Sequence, residues 1–300
     1  MTPAADKNPP PSPDLPLFQR PDWLRHVTGG NWATAGGTTT ATLPYHRLRR
    51  RGTTVIAHPP LTPFLQLQPA DGQYPPSRRA VEELLDRFPT HARADLLLDY
   101  AFDAWEPFYR RGWTCAPRYS YQLDLSVAPA ARLAAYKYSL RRTVHRAPEA
   151  LRLAPLPPEG AHLRFERHLT SRNSSTGVSE ADFNALYRRF APAGALQLWG
   201  LYRQENLLAS LCLAVDRGTT YCLLTERDEQ RDDVHAMHLL YHRVIEHCAA
   251  AGLHTFDFNG SMLSGVAAFN RAFGGTRRTK YQLTHYGNRF WKAAYALLGR

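Results

Sequence analysis

Three hundred residues, 44% of them hydrophobic and six of them Trp, suffice for one large domain or two of about 150, and exclude a fibrous or mainly disordered chain. The formal charge of +11 invites a polyanionic partner, but only four of the 37 basic residues are Lys, a skew that genome composition explains as well as a binding surface does. Four Cys are scattered without C-x-x-C spacing, which speaks against a structural zinc site. Cys212, Cys222 and Cys248 sit in apolar runs, so they read as small core residues in a reducing compartment. The chain starts without the basic and apolar regions of a signal peptide, and no apolar run reaches membrane-spanning length, so a cytoplasmic location is expected.

Residues 1–16 read as a Pro-rich tail with nothing to bury, expected to be disordered. A short helix follows around Pro21–Val27, stopped by Gly29-Gly30. Two β-like runs, Trp32–Thr42 and Thr53–His58, flank the basic run Tyr45–Arg51, which reads as a solvated hairpin tip or as a phosphate contact. Ser77 caps a helix whose Val81, Leu84, Leu85 and Phe88 form a core face, and Leu96–Leu98 is a buried strand. Trp105–Arg118 links this first half to a second.

In the second half Tyr119–Ser126 alternates as a strand, and Pro129 starts one helix with Leu133, Tyr136, Leu140 and Val144 on its core face. Arg141, Arg142, His145 and Arg146 fall off that face. His162–Leu169 is expected as a strand, and Ser179 with Asp182 forms a capping pattern ahead of a helix. Three strands, Leu196–Arg203, Leu207–Val215 and Thr219–Glu226, are joined by hairpin chemistry at Gln204–Asn206 and Asp216–Gly218. A helix over 235–251, a strand ending at Phe258, a helical segment with Val266, Phe269 and Phe273, and a strand Thr279–Tyr286 complete an α/β mixed sheet covered by helices on both sides.

His235, His238 and His242 share one face of the 235–251 helix. The outer two stand two turns apart, about 10 Å, too far for one ion, so the face reads as solvated rather than metal-binding. No G-x-S-x-G elbow, Walker A loop or G-x-G-x-x-G fingerprint occurs. What remains is the strand end Phe256-Asp257-Phe258-Asn259-Gly260-Ser261. Alternation sets Asp257 and Asn259 on the side opposite the phenylalanines. Asp257 could orient or deprotonate an attacking amine, and Asn259, Ser261 or nearby backbone N–H groups could stabilise an oxyanion; the same residues also suit a plain capped turn. Arg271, Arg277, Arg278 and Lys280 follow, a charge set suited to a phosphate-bearing donor.

The element order, the LFQRPDWL start, ATLPYHR, PPLTPF and above all FDFNGSM…GV..FNRAFGG resemble the FemAB-like, stand-alone branch of the GNAT acyltransferase superfamily, with a BioF-like acetyltransferase domain. The resemblance covers most of the chain from Phe18. It implies two tandem GNAT-like halves, a degenerate one at 17–115 and a bacterial acyltransferase one at 116–300. It further implies transfer of an acyl or aminoacyl group from acyl-CoA or aminoacyl-tRNA to an amine, with no metal. The acceptor would be a small molecule or an envelope precursor, and tRNA a possible partner. Asp257, Asn259 and Ser261 then become the expected catalytic group. Arg141, Arg142, Glu226 and Arg227 are expected at the donor or substrate, as are Gly260, Arg271 and Lys280. Two departures from the family pattern matter. Asn259 stands where an acidic residue is frequent, and 226–235 lacks the glycines that let a pyrophosphate approach backbone closely. Both favour the alternative of a catalytically inactive GNAT-like binding protein for a polyanionic or protein partner.

Overall fold

The computed structural model describes residues 15–37, 41–50, 52–227 and 235–297. After a 3-10 turn at Leu17–Gln19, helix α1 (Pro21–Val27) begins on a proline, whose missing N–H costs nothing at a helix start. Strands β1 (Trp32–Gly36), β2 (Ala41–Arg50) and β3 (Thr53–Ala57) pair antiparallel in sequence, and the short β4 (Gln68–Pro69) pairs back on β2. Helix α2 (Arg78–Asp86) starts where Ser77 Oγ accepts from Ala80 N at 3.3 Å, and β5 (Arg93–Leu98) and α3 (Glu106–Arg110) follow.

The second part opens with β6 (Thr114–Asp124), α4 (Pro129–Ala134), α5 (Tyr138–His145) and β7 (Leu151–Pro155). Helices α6 (Ala161–Thr170) and α7 (Glu180–Phe190) lead into the antiparallel strands β8 (Leu196–Arg203), β9 (Asn206–Asp216) and β10 (Thr219–Arg227). Helix α8 (Ala236–Ala250), β11 (Thr255–Asp257), α9 (Ser264–Arg271), β12 (Thr276–Tyr286) and α10 (Arg289–Leu297) end the described chain.

All these strands lie in one mixed sheet, in the order β1-β2-β3-β5-β12-β6-β11-β10-β9-β8-β7 with β4 beside β2. The pairs β3–β5 and β10–β11 are parallel. The seam is β12, which pairs with β6 from Thr276 to Thr284 and with β5 from Tyr281 to Tyr286. The two parts are therefore joined by a continuous hydrogen-bonded ladder, not by a flexible linker. One core lies under α2 and α3 at the β1–β5 end, and two more lie on opposite faces of the β6–β11 end. Leu17, Phe18, Trp23 and Val27, read as the start of the first half, belong to the second part's core, where Phe18 meets Tyr221 and Trp23 meets Phe190 edge to face.

Several sequence expectations are corrected. Residues 162–169 are helix α6, not a strand: buried His162, Phe165 and His168 recur at helical spacing, and the strand beside β8 is the preceding Leu151–Pro155. The basic run expected at a hairpin tip is strand for most of its length, Tyr45–Arg50 lying within β2. The helix from Pro129 breaks into α4 and α5. At the break Arg141 Nη1 donates to the carbonyls of Ala134 (2.8 Å) and Tyr136 (2.6 Å), and Lys137 N bonds to Ala272 O (2.8 Å). Carbonyls freed by a helix end need such donors. Of the tail expected at 1–16, residues 1–14 lie outside the described residues.

Gly274 ends the α9 region at φ +78°, and a Cβ there would lie 2.6 Å from Ala135 O. Gly252 has the same φ of +78° with nothing within 4 Å. Gly252→Ala should therefore cost only the left-handed conformational penalty of about 1 kcal/mol, whereas Gly274→Ala should cost about 2 kcal/mol or more. Urea unfolding of the two variants checks the difference.

Candidate active site

Strands β10 and β11 run side by side over only three residue pairs, Thr219–Thr255, Thr220–Phe256 and Tyr221–Asp257. Immediately beyond, the pairing of β10 with β9 shifts register between Cys222 and Leu224, the kind of bulge that bends a strand. The two parallel strands fork there and open a cavity of about 560 Å³. Its walls are Cys222–Thr225 of β10, Met237, His238 and Tyr241 of α8, the turn Phe258–Leu263, and Phe269 and Asn270 of α9, with Leu169 and Arg172 across the mouth. On the side of β11, β10 has no strand partner past Tyr221, so an extended ligand can take that place in the sheet.

The turn after β11 is held from beneath. Asn259 and Gly260 adopt φ of +51° and +142°, values that asparagine tolerates and that the second position leaves essentially to glycine. Asp257 is fully buried. Its Oδ1 accepts from Ser120 Oγ (2.7 Å) and Asn259 N (2.8 Å), and its Oδ2 from Gln122 Nε2 (2.8 Å). Gly260 N in turn donates to Ser120 Oγ at 3.3 Å. From the other side Asn270 Nδ2 donates to Gly260 O (2.8 Å) and Ser261 Oγ (2.9 Å), while Ser261 Oγ donates to Gly260 O (2.7 Å). Lys280, 3% exposed, donates to Pro63 O (2.7 Å) and Asn259 Oδ1 (3.2 Å). Burial pulls its ammonium down to about 8, with the nearby Asp257 charge opposing the shift. Oδ1 of Asn259 is taken by Lys280, which leaves its Nδ2 group as a hydrogen-bond donor at the cavity wall to which Asn259 belongs.

The expected residues thus separate into groups. Asn259, Gly260, Ser261 and Arg227 line the cavity. Asp257 and Lys280 lie behind that wall and fix it. Both carboxylate oxygens of Asp257 are engaged and it has no exposed surface, so it holds the turn from behind the cavity wall. Ser261 has committed its hydroxyl proton to Gly260 O. Glu226 is buried and accepts from Ser210 Oγ at 2.8 Å, away from the cavity. Arg271 is exposed and outside it, Arg141 is spent on the α4–α5 break, and Arg142 lines a different cavity. Beyond Arg227, the glycine-free stretch lies outside the described residues as far as 234.

The sequence reading missed His238. Placed with His235 and His242 on a solvated face, it instead packs against Phe269 (ring centroids 4.6 Å apart) and Phe273 and lines the cavity. Its Nδ1 is buried with no hydrogen-bond partner among the described residues, and burial lowers its pKa, with the neighbouring His235 adding to the shift. At neutral pH the ring is an uncharged imidazole with proton-accepting capacity. The available signal was its place three residues ahead of Tyr241, which is buried and stacked on Phe258. Cys222, also on the wall, is no nucleophile: burial pushes its thiol up to about 12, although a contact with Tyr241 Oη (3.1 Å) opposes that shift.

Residues 127–271, which include most of this cavity wall, match the family model for an acetyltransferase (GNAT) domain. The fold is GNAT-like. Similar solved structures are FemX (13% identity, 95% of this chain and 94% of that chain, TM-score 0.64) and L-PGS from Bacillus licheniformis (13%, 92% and 92%, 0.59). A third is the C-terminal domain of a putative lysylphosphatidylglycerol synthetase from Agrobacterium fabrum (15%, 92% and 89%, 0.59). At these identities the likeness is one of fold. No curated protein sequence matches the chain significantly. No helix among the described residues is long and apolar enough to cross a membrane.

The GNAT-like cleft therefore rests on a buried ammonium, and this has a measurable consequence. A lysine whose value is depressed on folding binds fewer protons in the folded than in the unfolded chain between about pH 8 and its ordinary 10.5, so stability rises with pH across that window. The rise should amount to as much as about 3 kcal/mol in the parent and be absent from Lys280→Met. Urea midpoints at pH 7.5 and 10.5 measure it.

Proposed function

We propose that this protein is an acyltransferase that moves an acyl or aminoacyl group from acyl-CoA or aminoacyl-tRNA to an amine, in the manner of the FemAB-like GNAT proteins. The observation that carries the reading is the neutral His238 facing the fork of β10 and β11, beside the polar turn Asn259–Ser261. The division into a degenerate half (17–115) and a transferase half (116–300) belongs to the same proposal, as does an acceptor drawn from small metabolites or envelope precursors. One relative of the same fold bears the name lysylphosphatidylglycerol synthetase, which favours keeping an aminoacyl donor in the test.

In this reading the acceptor nitrogen attacks the donor carbonyl carbon. A C–N bond forms, the C–S bond of a thioester or the C–O bond of an aminoacyl ester breaks, and the thiol or the tRNA hydroxyl leaves. The proton lost by the nitrogen passes to His238, which returns it to the departing sulfur or oxygen, so that the ring is neutral again at the end of the cycle. Asn259 Nδ2 supplies a hydrogen bond to the carbonyl oxygen as it gains charge, its orientation set by Lys280. Asp257 acts at one remove, as the positioning residue of the turn. Transfer is direct, without an acyl-enzyme, because the cysteines are held as thiols. Cys222 and Cys248 are raised by burial to about 12 and about 11, and Cys115 and Cys212 are also raised.

The test uses hydroxylamine as the probe amine, with acetyl-CoA and charged tRNA as separate donors. His238→Gln should lower transfer by about 10²- to 10⁴-fold while leaving donor binding in place. The parent's activity should fall on the acid side with a midpoint below the ordinary histidine value of 6.5, since the base must be neutral, and this limb should vanish in the variant. A parent-like rate in His238→Gln sinks the base assignment. Parent protein that consumes neither donor, while binding RNA in a strongly salt-dependent way, moves the inactive polyanion-binding alternative to the front.

A further inference from the structure

We propose that a second cavity, on the far side of the first turn of α8 from the transfer cleft, binds the phosphorylated nucleotide end of the donor. This inference rests on the transferase reading above and adds a site to it.

The cavity has a volume of about 570 Å³. Helix α5 forms one wall, with Tyr138 and Arg142 four residues apart and Arg146 four further on at the C-cap, so the three side chains share one ridge. Arg203, from the end of β8, and His235, at the start of α8, close the opposite side. The described lining contains no Asp or Glu. Neighbouring arginines show what distinguishes this pair. Arg132 is ion-paired with Glu246 at 2.7 Å, and Arg141 caps the α4–α5 break. Arg142 and Arg146 are exposed and make no ion pair among the described residues. Two guanidinium forks facing a cavity whose described lining carries no carboxylate fit phosphate oxygens, which accept such forks in bidentate fashion. The positive end of α8 adds to the same field.

A basic cavity alone would take any anion. Tyr138 narrows the choice: its ring is 70% exposed at the rim, with the Arg141 guanidinium 5.9 Å from its centroid. An exposed aromatic ring beside cationic groups is a stacking surface for a nucleobase. The placement also suits one donor reaching both sites. His235 and Leu239 face this cavity while His238 and Tyr241 face the transfer cleft, so the two are separated by about one helix diameter, ~10 Å. A donor with its carbonyl beside His238 has its nucleotide portion within reach of Arg142 and Arg146. That nucleotide could belong to CoA or to the 3′ end of a tRNA, and the chemistry of the cavity serves both.

Calorimetric titration of the full chain with CoA and, separately, with an RNA hairpin ending in CCA-3′ tests the site. One of the two should bind the parent. Its Kd should rise about tenfold or more in Arg142→Gln/Arg146→Gln, and about fivefold or more in Tyr138→Ala. Melting temperatures without ligand should stay at the parent value, because these side chains are exposed. If RNA is the ligand, its affinity should also fall less steeply with salt in the double variant. Loss of CoA binding assigns the cavity to a thioester donor; loss of RNA binding assigns it to an aminoacyl-tRNA. Parent-like Kd values in the double variant overturn the nucleotide site and leave the transferase reading intact. A parent that binds neither ligand, yet transfers the acetyl group of acetyl-N-acetylcysteamine to hydroxylamine, also overturns it. A parent that neither binds nor transfers overturns both.

Discussion

The fork between β10 and β11 is the constraint on which the rest depends. Two neighbouring parallel strands ordinarily satisfy each other's backbone groups along their whole length, and buried polar groups without partners are costly. Here the ladder stops after three pairs. The interruption persists because each strand is secured on its other side: β10 by β9 along its full run, and β11 by β6. The sheet therefore holds its shape around the gap, and the gap exposes backbone edges and side chains at one point. An extended substrate can complete the interrupted ladder.

Holding the turn at the fork is an electrostatic problem. A carboxylate and an ammonium are both taken out of water, which costs several kcal/mol per ion before their interactions are counted. Asp257 offsets the cost with three hydrogen bonds from Ser120, Gln122 and Asn259, and Lys280 with bonds to Pro63 and Asn259. The residue between them is Asn259, bonded to one by its backbone and to the other by its side chain. Its left-handed φ also explains why an amide suits this position. Asparagine enters that region at small cost, and its oxygen accepts a hydrogen bond from Lys280 Nζ. An acidic residue there would add a second carboxylate beside Asp257. Asn259 at this position thus suits the turn's own geometry and charge balance, whatever residue accepts a proton in the cavity.

Features of the sequence whose information is local were legible. The hairpin connections at Gln204 and Arg217 appear as left-handed residues at those turns, and Ser179 caps α7 by accepting from Asp182 N at 3.1 Å. The strand–turn–helix order around Asn259 was equally readable. What failed was whatever depends on a distant partner. The stretch 162–169 has apolar positions compatible with both periods, and its helical state is fixed by packing of His162 and Phe165 against Phe183. The break between α4 and α5 depends on Ala272 receiving Lys137 N. His238 looked solvated because the helix wheel counts only its own residues. Phe269 and Phe273, which desolvate it, arrive from α9 and the turn that follows it. The burial of Asp257 was hidden for the same reason, since its partners Ser120 and Gln122 lie more than a hundred residues earlier.

The interruption of the sheet and the placement of α8 are parts of one arrangement. A parallel neighbour such as β11 must be reached by a crossover, and α8 supplies it, packed against the sheet by Leu240, Val244 and Ile245. The start of α8 stands over the open fork, where Met237, His238 and Tyr241 line the cavity. Its residues are distributed around that first turn by the 100° step of the helix, which sends His238 and Tyr241 to one cavity and His235 and Leu239 to the other. A rigid, buried helix thus sets the distance between the two cavities without any loop having to close. The chemistry at the fork and the charge on α5 are held in register by the same apolar core that makes the fold.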